Sequence, residues 1–165
     1  MTEKPVRILF VCTGNTCRSP TAEWMTRWLL ENSPATGKLE VKSAGLAASP
    51  GAPLSEHARR LLEDKLGRKV EHSARQLTDE MIRQSDWVFT MTSQHRDAVL
   101  SLVNGKEDRI ALLQEFAGQS GDIPDPYGGS LQDYQRMVET VEQAVKVLVA
   151  KIGMKEQEDE DCPGQ

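Results

Sequence analysis

Short apolar runs and longer amphipathic stretches alternate along this chain. Residues 6–11 are almost continuously apolar, as a strand buried on both faces requires. Residues 20–31 then place Ala22, Met25, Trp28 and Leu29 at the spacing of one helix face. A second strand is predicted over 39–44, ending at Gly45, and a second helix over 55–66 through Ala58, Leu61, Leu62 and Leu66. Gly67 is its natural stop. Thr78 has the character of an N-cap, with Asp79 and Glu80 in the favourable first turn. Strand 87–91, a Ser93-capped helix to about Val103 and strand 109–113 follow, and then a loop rich in Gly, Pro and Asp over 118–129. Tyr134, Met137, Val138, Val141, Val145, Leu148 and Ile152 mark one face of a long last helix.

Strands alternating with helices predict an α/β fold: a single three-layer domain with a central parallel sheet flanked by helices. In such a sheet ligands collect beyond the carboxyl ends of the strands. Past Gly153 the chain becomes Lys155-Glu156-Gln157-Glu158-Asp159-Glu160-Asp161, which offers nothing to bury. The expected organisation is one domain over 1–153 and an acidic disordered tail over 154–165.

Composition narrows the partners. The 165 residues carry a net charge of −5 without a cluster of Lys and Arg, so no nucleic-acid partner is expected. No apolar stretch is long enough to span a membrane, and the N-terminus lacks a signal peptide's apolar core; a cytoplasmic protein is expected. Three cysteines make no disulfide framework. Cys12 and Cys17 have only the distant Cys162 for company, and His57, His72 and His95 are scattered, so neither a metal nor another cofactor is expected.

The chemistry concentrates where the first strand hands over to the first helix, in Cys12-Thr13-Gly14-Asn15-Thr16-Cys17-Arg18-Ser19-Pro20. This phosphate-binding loop can turn successive N–H groups inward, with Gly14 permitting a turn that other residues resist. The helix beginning near Ser19 adds its unpaired N–H groups and the positive end of its dipole, and Pro20 suits its first turn. Arg18 can grip two phosphate oxygens with its planar fork. The same cup favours a thiolate, since cysteines at helix N-termini beside cations ionise far below the ordinary value of about 8.5. Cys12 is therefore the expected nucleophile towards phosphorus, with Ser19 able to hydrogen-bond the sulfur. Cys17, in the same tight loop, is the expected disulfide partner of an oxidised Cys12.

A phosphocysteine route needs a proton for the leaving group and then a base for water. One carboxyl can serve both. Asp125, in Asp122-Ile123-Pro124-Asp125-Pro126-Tyr127-Gly128-Gly129, is the best candidate, because Pro126 holds it extended; Asp122 is close by.

With both motifs in view, the chain resembles the low-molecular-weight protein tyrosine phosphatase family from about Val6 to Leu148. The resemblance implies Cys12 as nucleophile, Arg18 as clamp, Asp125 as general acid and Ser19 as thiolate partner, with no metal. It also implies that Asn15, with Ser43 and His72 behind it, holds the loop in shape. Phosphorylated proteins are the implied substrates.

Thr16 stands where tyrosine phosphatases usually carry an aliphatic residue, and there the loop resembles the bacterial protein-arginine phosphatases. So do Lys42-Ser43-Ala44-Gly45, the Ser49-Pro50 loop, Met91-Thr92-Ser93-Gln94-His95 and Asp125-Pro126-Tyr127-Gly128-Gly129-Ser130. A small polar rim residue suits a planar cationic leaving group, although a threonine hydroxyl can also simply bond its own loop backbone. Tyr127 can stack on a phenol or a guanidinium alike. The expected activity is phosphoarginine hydrolysis, with phosphotyrosine as the alternative. Arsenate reduction is a remote third, since Thr90 and Met91 stand where a cysteine relay would lie. A phosphate-binding module without catalysis would lack Cys12, Arg18 or Asp125, and all three are present.

Overall fold

The computed structural model describes residues 4–161. Four strands, β1 (Val6–Cys12), β2 (Leu39–Gly45), β3 (Trp87–Thr90) and β4 (Ile110–Leu112), form one parallel sheet in the order β2-β1-β3-β4. The strand that ends at Cys12 is thus paired on both sides, and its side chains alternate between two cores. Ile8, Phe10 and Cys12 face the larger one, with α1 (Arg18–Glu31), α2 (Glu56–Leu66) and α6 (Leu131–Asp161). Leu9 and Val11 face the smaller one, with α3 (Asp79–Gln84) and α4 (Ser93–Leu100). The expected three-layer parallel architecture is what forms. Among the described residues no helix is long and apolar enough to cross a membrane.

Boundaries differ from expectation where local chemistry decides. The cap of α4 is Thr92, not Ser93: its hydroxyl accepts the His95 N–H at 3.1 Å, the side chain-to-N3 bond that defines an N-cap. That helix stops at Leu100, short of Val103. Leu113, assigned to the last strand, instead opens a one-turn helix α5 (Leu113–Phe116), which periodicity cannot separate from a strand's end. The acidic segment expected to be a disordered tail continues α6 as helix through Asp161. Lys, Glu and Gln favour helix, and a helix satisfies its backbone internally without burial. Residues 162–165, including Cys162, lie outside the described residues.

Candidate active site

The chain leaves the carboxyl edge of the sheet at Cys12 and re-enters regular structure at Arg18. Cys12 is 2% exposed, and its Sγ lies 2.9 Å from Ser19 Oγ. Cys17 is the N-cap of α1 but makes no side-chain cap, which leaves first-turn N–H groups and the positive end of the helix dipole to an anion.

Strain in the loop sits at Asn15, not at Gly14 as the sequence suggests. Asn15 has φ 55°, while a Cβ on Gly14 would meet only Thr16 Oγ1, at an ordinary 3.7 Å. Asparagine tolerates this conformation when its side chain is locally bonded, and here both ends of the side-chain amide are bonded. Asn15 Oδ1 accepts the Arg75 N–H at 2.9 Å, which fixes the amide's orientation. Its Nδ2 donates to Ser19 Oγ and to Ser43 Oγ, both at 2.9 Å. The Asn15 carbonyl accepts His72 Nε2–H at 2.7 Å.

The direction of this chain can be traced from one buried carboxylate. Glu23, 2% exposed on α1, accepts from Ser43 Oγ at 2.6 Å and pairs with Arg27 at 2.9 Å. An ionised carboxylate only accepts, so Ser43 spends its hydrogen on Glu23 and its oxygen receives Asn15. The other Asn15 N–H goes to Ser19, whose hydrogen is left for the Cys12 sulfur. The Ser19 hydroxyl is thus a donor aimed at the sulfur.

Above the cup, Arg18 is 4% exposed; its Nη1 donates to the Ile123 carbonyl at 3.0 Å and its Nη2 lies 3.6 Å from Asp125 Oδ2. Asp125 is half-exposed and its other oxygen accepts the Tyr127 N–H at 3.1 Å. Asp122 is used elsewhere: its Oδ1 accepts the Ser93 N–H at 2.8 Å and ties the loop to the start of α4. Of the two carboxylates, Asp125 is therefore the one beside Arg18. Tyr127 stands 87% exposed beyond it. Thr16 is half-buried, and its carbonyl accepts the Ser55 N–H at 2.9 Å. Burial, foremost, pushes the Cys17 thiol up to about 12, so it stays protonated while both cysteines remain free. Among the described residues no three His, Cys, Asp or Glu side chains gather to hold a metal ion.

Residues 7–158 match the family model for low molecular weight phosphotyrosine protein phosphatase. The chain belongs to that family. Among its phosphatase relatives, a protein-arginine-phosphatase of Geobacillus stearothermophilus is 41% identical over 149 residues, covering 90% of this chain and 97% of the relative. A low molecular weight protein-tyrosine-phosphatase PtpB of Staphylococcus haemolyticus is 37% identical over 135 residues, covering 81% and 91%. A solved structure of YwlE arginine phosphatase, a mutant with a phosphorylated active-site serine, superposes with a TM-score of 0.82 at 34% identity. It covers 89% of this chain and 95% of that one.

Four contributors to this phosphatase's site escape the sequence argument. Glu23 lies on a helix buried on more than its apolar stripe, where a charged residue signals only an exposed face. Arg75 acts through its backbone N–H, which no side-chain pattern reports. Gly45, expected only to end β2, has no room for a side chain: a Cβ there would stand 2.6 Å from Thr13 O and 2.9 Å from Asn15 N. His95 is buried on α4, and its Nε2 lies 2.8 Å from Thr13 Oγ1. Its signals are the resemblance of the segment that ends in it and its position, three residues after a threonine that caps a helix beyond a strand's carboxyl end.

Proposed function

We propose that this protein is a cysteine-dependent protein phosphatase that hydrolyses phosphoarginine in proteins through a phosphocysteine on Cys12. The observation that carries the chemistry is the Cys12–Ser19 contact at 2.9 Å, beneath the pair of Arg18 and Asp125. A phosphoryl dianion fits between the loop N–H groups of residues 13–18, with the Arg18 guanidinium on its oxygens. Cys12 thiolate attacks phosphorus as the P–N bond breaks, and Asp125 gives its proton to the departing nitrogen. A guanidine leaves poorly as an anion, which makes that proton indispensable. Asp125, now carboxylate, takes a proton from water, whose oxygen displaces the sulfur from phosphorus; Ser19 O–H receives the returning thiolate. Asn15, Ser43 and His72 hold the loop.

Two observations support phosphoarginine over phosphotyrosine. The relative from Geobacillus bears that activity in its name, and Thr16 puts a small polar group in the loop. The phosphotyrosine reading draws on the PtpB relative and on an exposed Tyr127 able to stack on a phenol. Residues 1–153 form the catalytic domain in this scheme. A reducing, cytoplasmic setting suits an enzyme that needs a free thiolate. The test is kcat/KM measured side by side on phosphoarginine and phosphotyrosine proteins. At least a tenfold preference for phosphoarginine is expected, and a preference for phosphotyrosine overturns the assignment.

A further inference from the structure

His95 belongs to none of the roles above, yet it touches the loop residue next to the nucleophile. Its imidazole is 7% exposed. Nε2 lies 2.8 Å from Thr13 Oγ1, and Nδ1 is buried without a partner. Three elements converge around it. Thr92 caps the helix on the His95 N–H, Asp122 binds the Ser93 N–H, and the Ile123 N–H donates to the Met91 carbonyl at 2.9 Å. The first turn of α4, the exposed side chain of Thr13 and the loop carrying Asp125 therefore lie on one side of the cup. A group receiving a proton from Asp125 leaves past that side.

The tautomer follows from burial. A buried N–H without an acceptor is rarer and costlier than a buried lone pair without a donor. The proton therefore sits on Nε2 and is donated to Thr13 Oγ1. A hydroxyl oxygen has two lone pairs and one hydrogen; His95 occupies one lone pair, and the other lone pair and the hydrogen remain at the rim.

Resting on the phosphoarginine reading, we propose that Thr13 and His95 form a specificity-determining pair: the Thr13 hydroxyl, oriented by His95, donates to a phosphoryl oxygen and accepts the neighbouring guanidinium N–H. A phosphoramidate presents that sequence of acceptor and donor, whereas the bridging atom of an aryl phosphate carries no hydrogen. The pair thus distinguishes P–N from P–O substrates at the scissile bond, one residue from the sulfur. Burial, then the nearby Arg18 charge, lower the imidazole's pKa from 6.5 to about 4 against the opposing pull of Asp122 and Asp125. A neutral ring opposes no cationic leaving group.

The test is the ratio of kcat/KM on phosphoarginine to that on phosphotyrosine in wild type, Thr13→Val, His95→Leu, His95→Gln and the double variant Thr13→Val/His95→Leu. A hydrogen bond to a charged group sets the scale at about tenfold or more. Thr13→Val and His95→Leu each lower the ratio by about that factor. The double variant lowers it no further than the worse single one, because both changes remove the same contact. His95→Gln, which keeps a side-chain N–H, recovers most of the ratio. An unchanged ratio in Thr13→Val, multiplying losses in the double variant, or no recovery with glutamine overturns the pair. Thr13 is exposed, so its variant reports even if His95→Leu fails to fold. A wild type inactive on phosphoarginine overturns the functional reading and this proposal with it; unaltered ratios in variants of an active wild type overturn the proposal alone.

Discussion

Replacing Gly45 by alanine probes how tightly the phosphate cup is held from behind. The added Cβ would stand 2.6 Å from Thr13 O, 2.9 Å from Asn15 N and 3.0 Å from Gly14 C. Ordinary contacts need about 3.5 Å, so something must move by roughly 0.5–0.9 Å. All three atoms are backbone, so no flexible side-chain end can swing aside. Nor can β2 retreat freely. Gly45 N donates to the Arg75 carbonyl at 2.9 Å, its own carbonyl accepts Leu77 N–H at 2.8 Å, and Ala47 N–H holds Thr13 O at 2.8 Å. The loop must therefore shift towards its ligand. Overpacking of this kind costs about 1–3 kcal/mol of stability, and a displacement near 1 Å at reacting groups costs about 100-fold in rate. Urea unfolding, kcat/KM on an aryl phosphate and the inhibition constant of inorganic phosphate read the three consequences separately. The expected result is a moderate loss of stability, a large loss of rate and weakened phosphate inhibition. Rate and phosphate affinity within twofold of wild type, in a variant of unchanged stability, would refute the argument that this wall sets the loop's geometry.

Asp125→Asn should lower kcat/KM on phosphoarginine by about two to four powers of ten. The loss should be smaller on p-nitrophenyl phosphate, whose leaving group departs unprotonated; a uniform loss of two- or threefold would return the acid's role to Asp122. Thr16→Ile should lower phosphoarginine kcat/KM by at least about tenfold, with phosphotyrosine activity kept or raised. Equal losses on both would make Thr16 a support of the loop. Peroxide should convert Cys12 and Cys17 to a disulfide, seen as a loss of two hydrogens in intact mass and reversed by thiol. A Cys17→Ala variant that recovers as fully as wild type removes the protective role. Finally, because His95 is depressed from 6.5 to about 4, the unfolded chain binds more protons than the folded one between those values. Stability from this group is present above pH 6.5 and is lost as pH falls towards 4, by about 2 kcal/mol between pH 7 and 5. Urea unfolding of wild type and His95→Gln at both pH values should show the steeper decline in wild type; parallel declines would contradict it.

Much of this was legible in the chain because the relevant physics is local. The β1 run, the turn into α1 and the Gly67 stop each follow from a few consecutive residues, and Cys12, Arg18 and Ser19 lie within one such stretch. Pro126 favours Asp125 over Asp122 in the chain, and the structure separates the two: one carboxylate meets Arg18, the other a backbone N–H at the start of α4. Gly14 and Gly45 show the limit most clearly. A glycine inside a loop motif looks conformational and one at a strand's end looks like punctuation. The strained residue is nevertheless Asn15, and the close approach belongs to Gly45 across a strand pairing that no local window contains. Glu23 and His95 were hidden for the same reason, since their partners come from β2 and the first loop. The acidic end of α6 failed differently: its composition was read for burial, and backbone propensity set its conformation.

The two halves of the site are fastened to the molecule in different ways. Cys12 hangs from β1, paired on both edges, and its loop is pinned from β2, from residues 72–75 and from α4. Asp125 rides on an irregular surface segment with a half-exposed carboxylate and a few hydrogen bonds to the body. Surface segments of that kind open locally at a fraction of the free energy of global unfolding. Warming or mild denaturant therefore separates capture from release. Amide exchange would free the segment around residues 118–129 first; with Asp125 as the proposed acid, that leaves a protein that still seats phosphate beneath Arg18 but lets leaving groups go unassisted. In such conditions this enzyme becomes selective by chemistry, turning over activated aryl esters while phosphoryl groups on poor leaving groups stay in place.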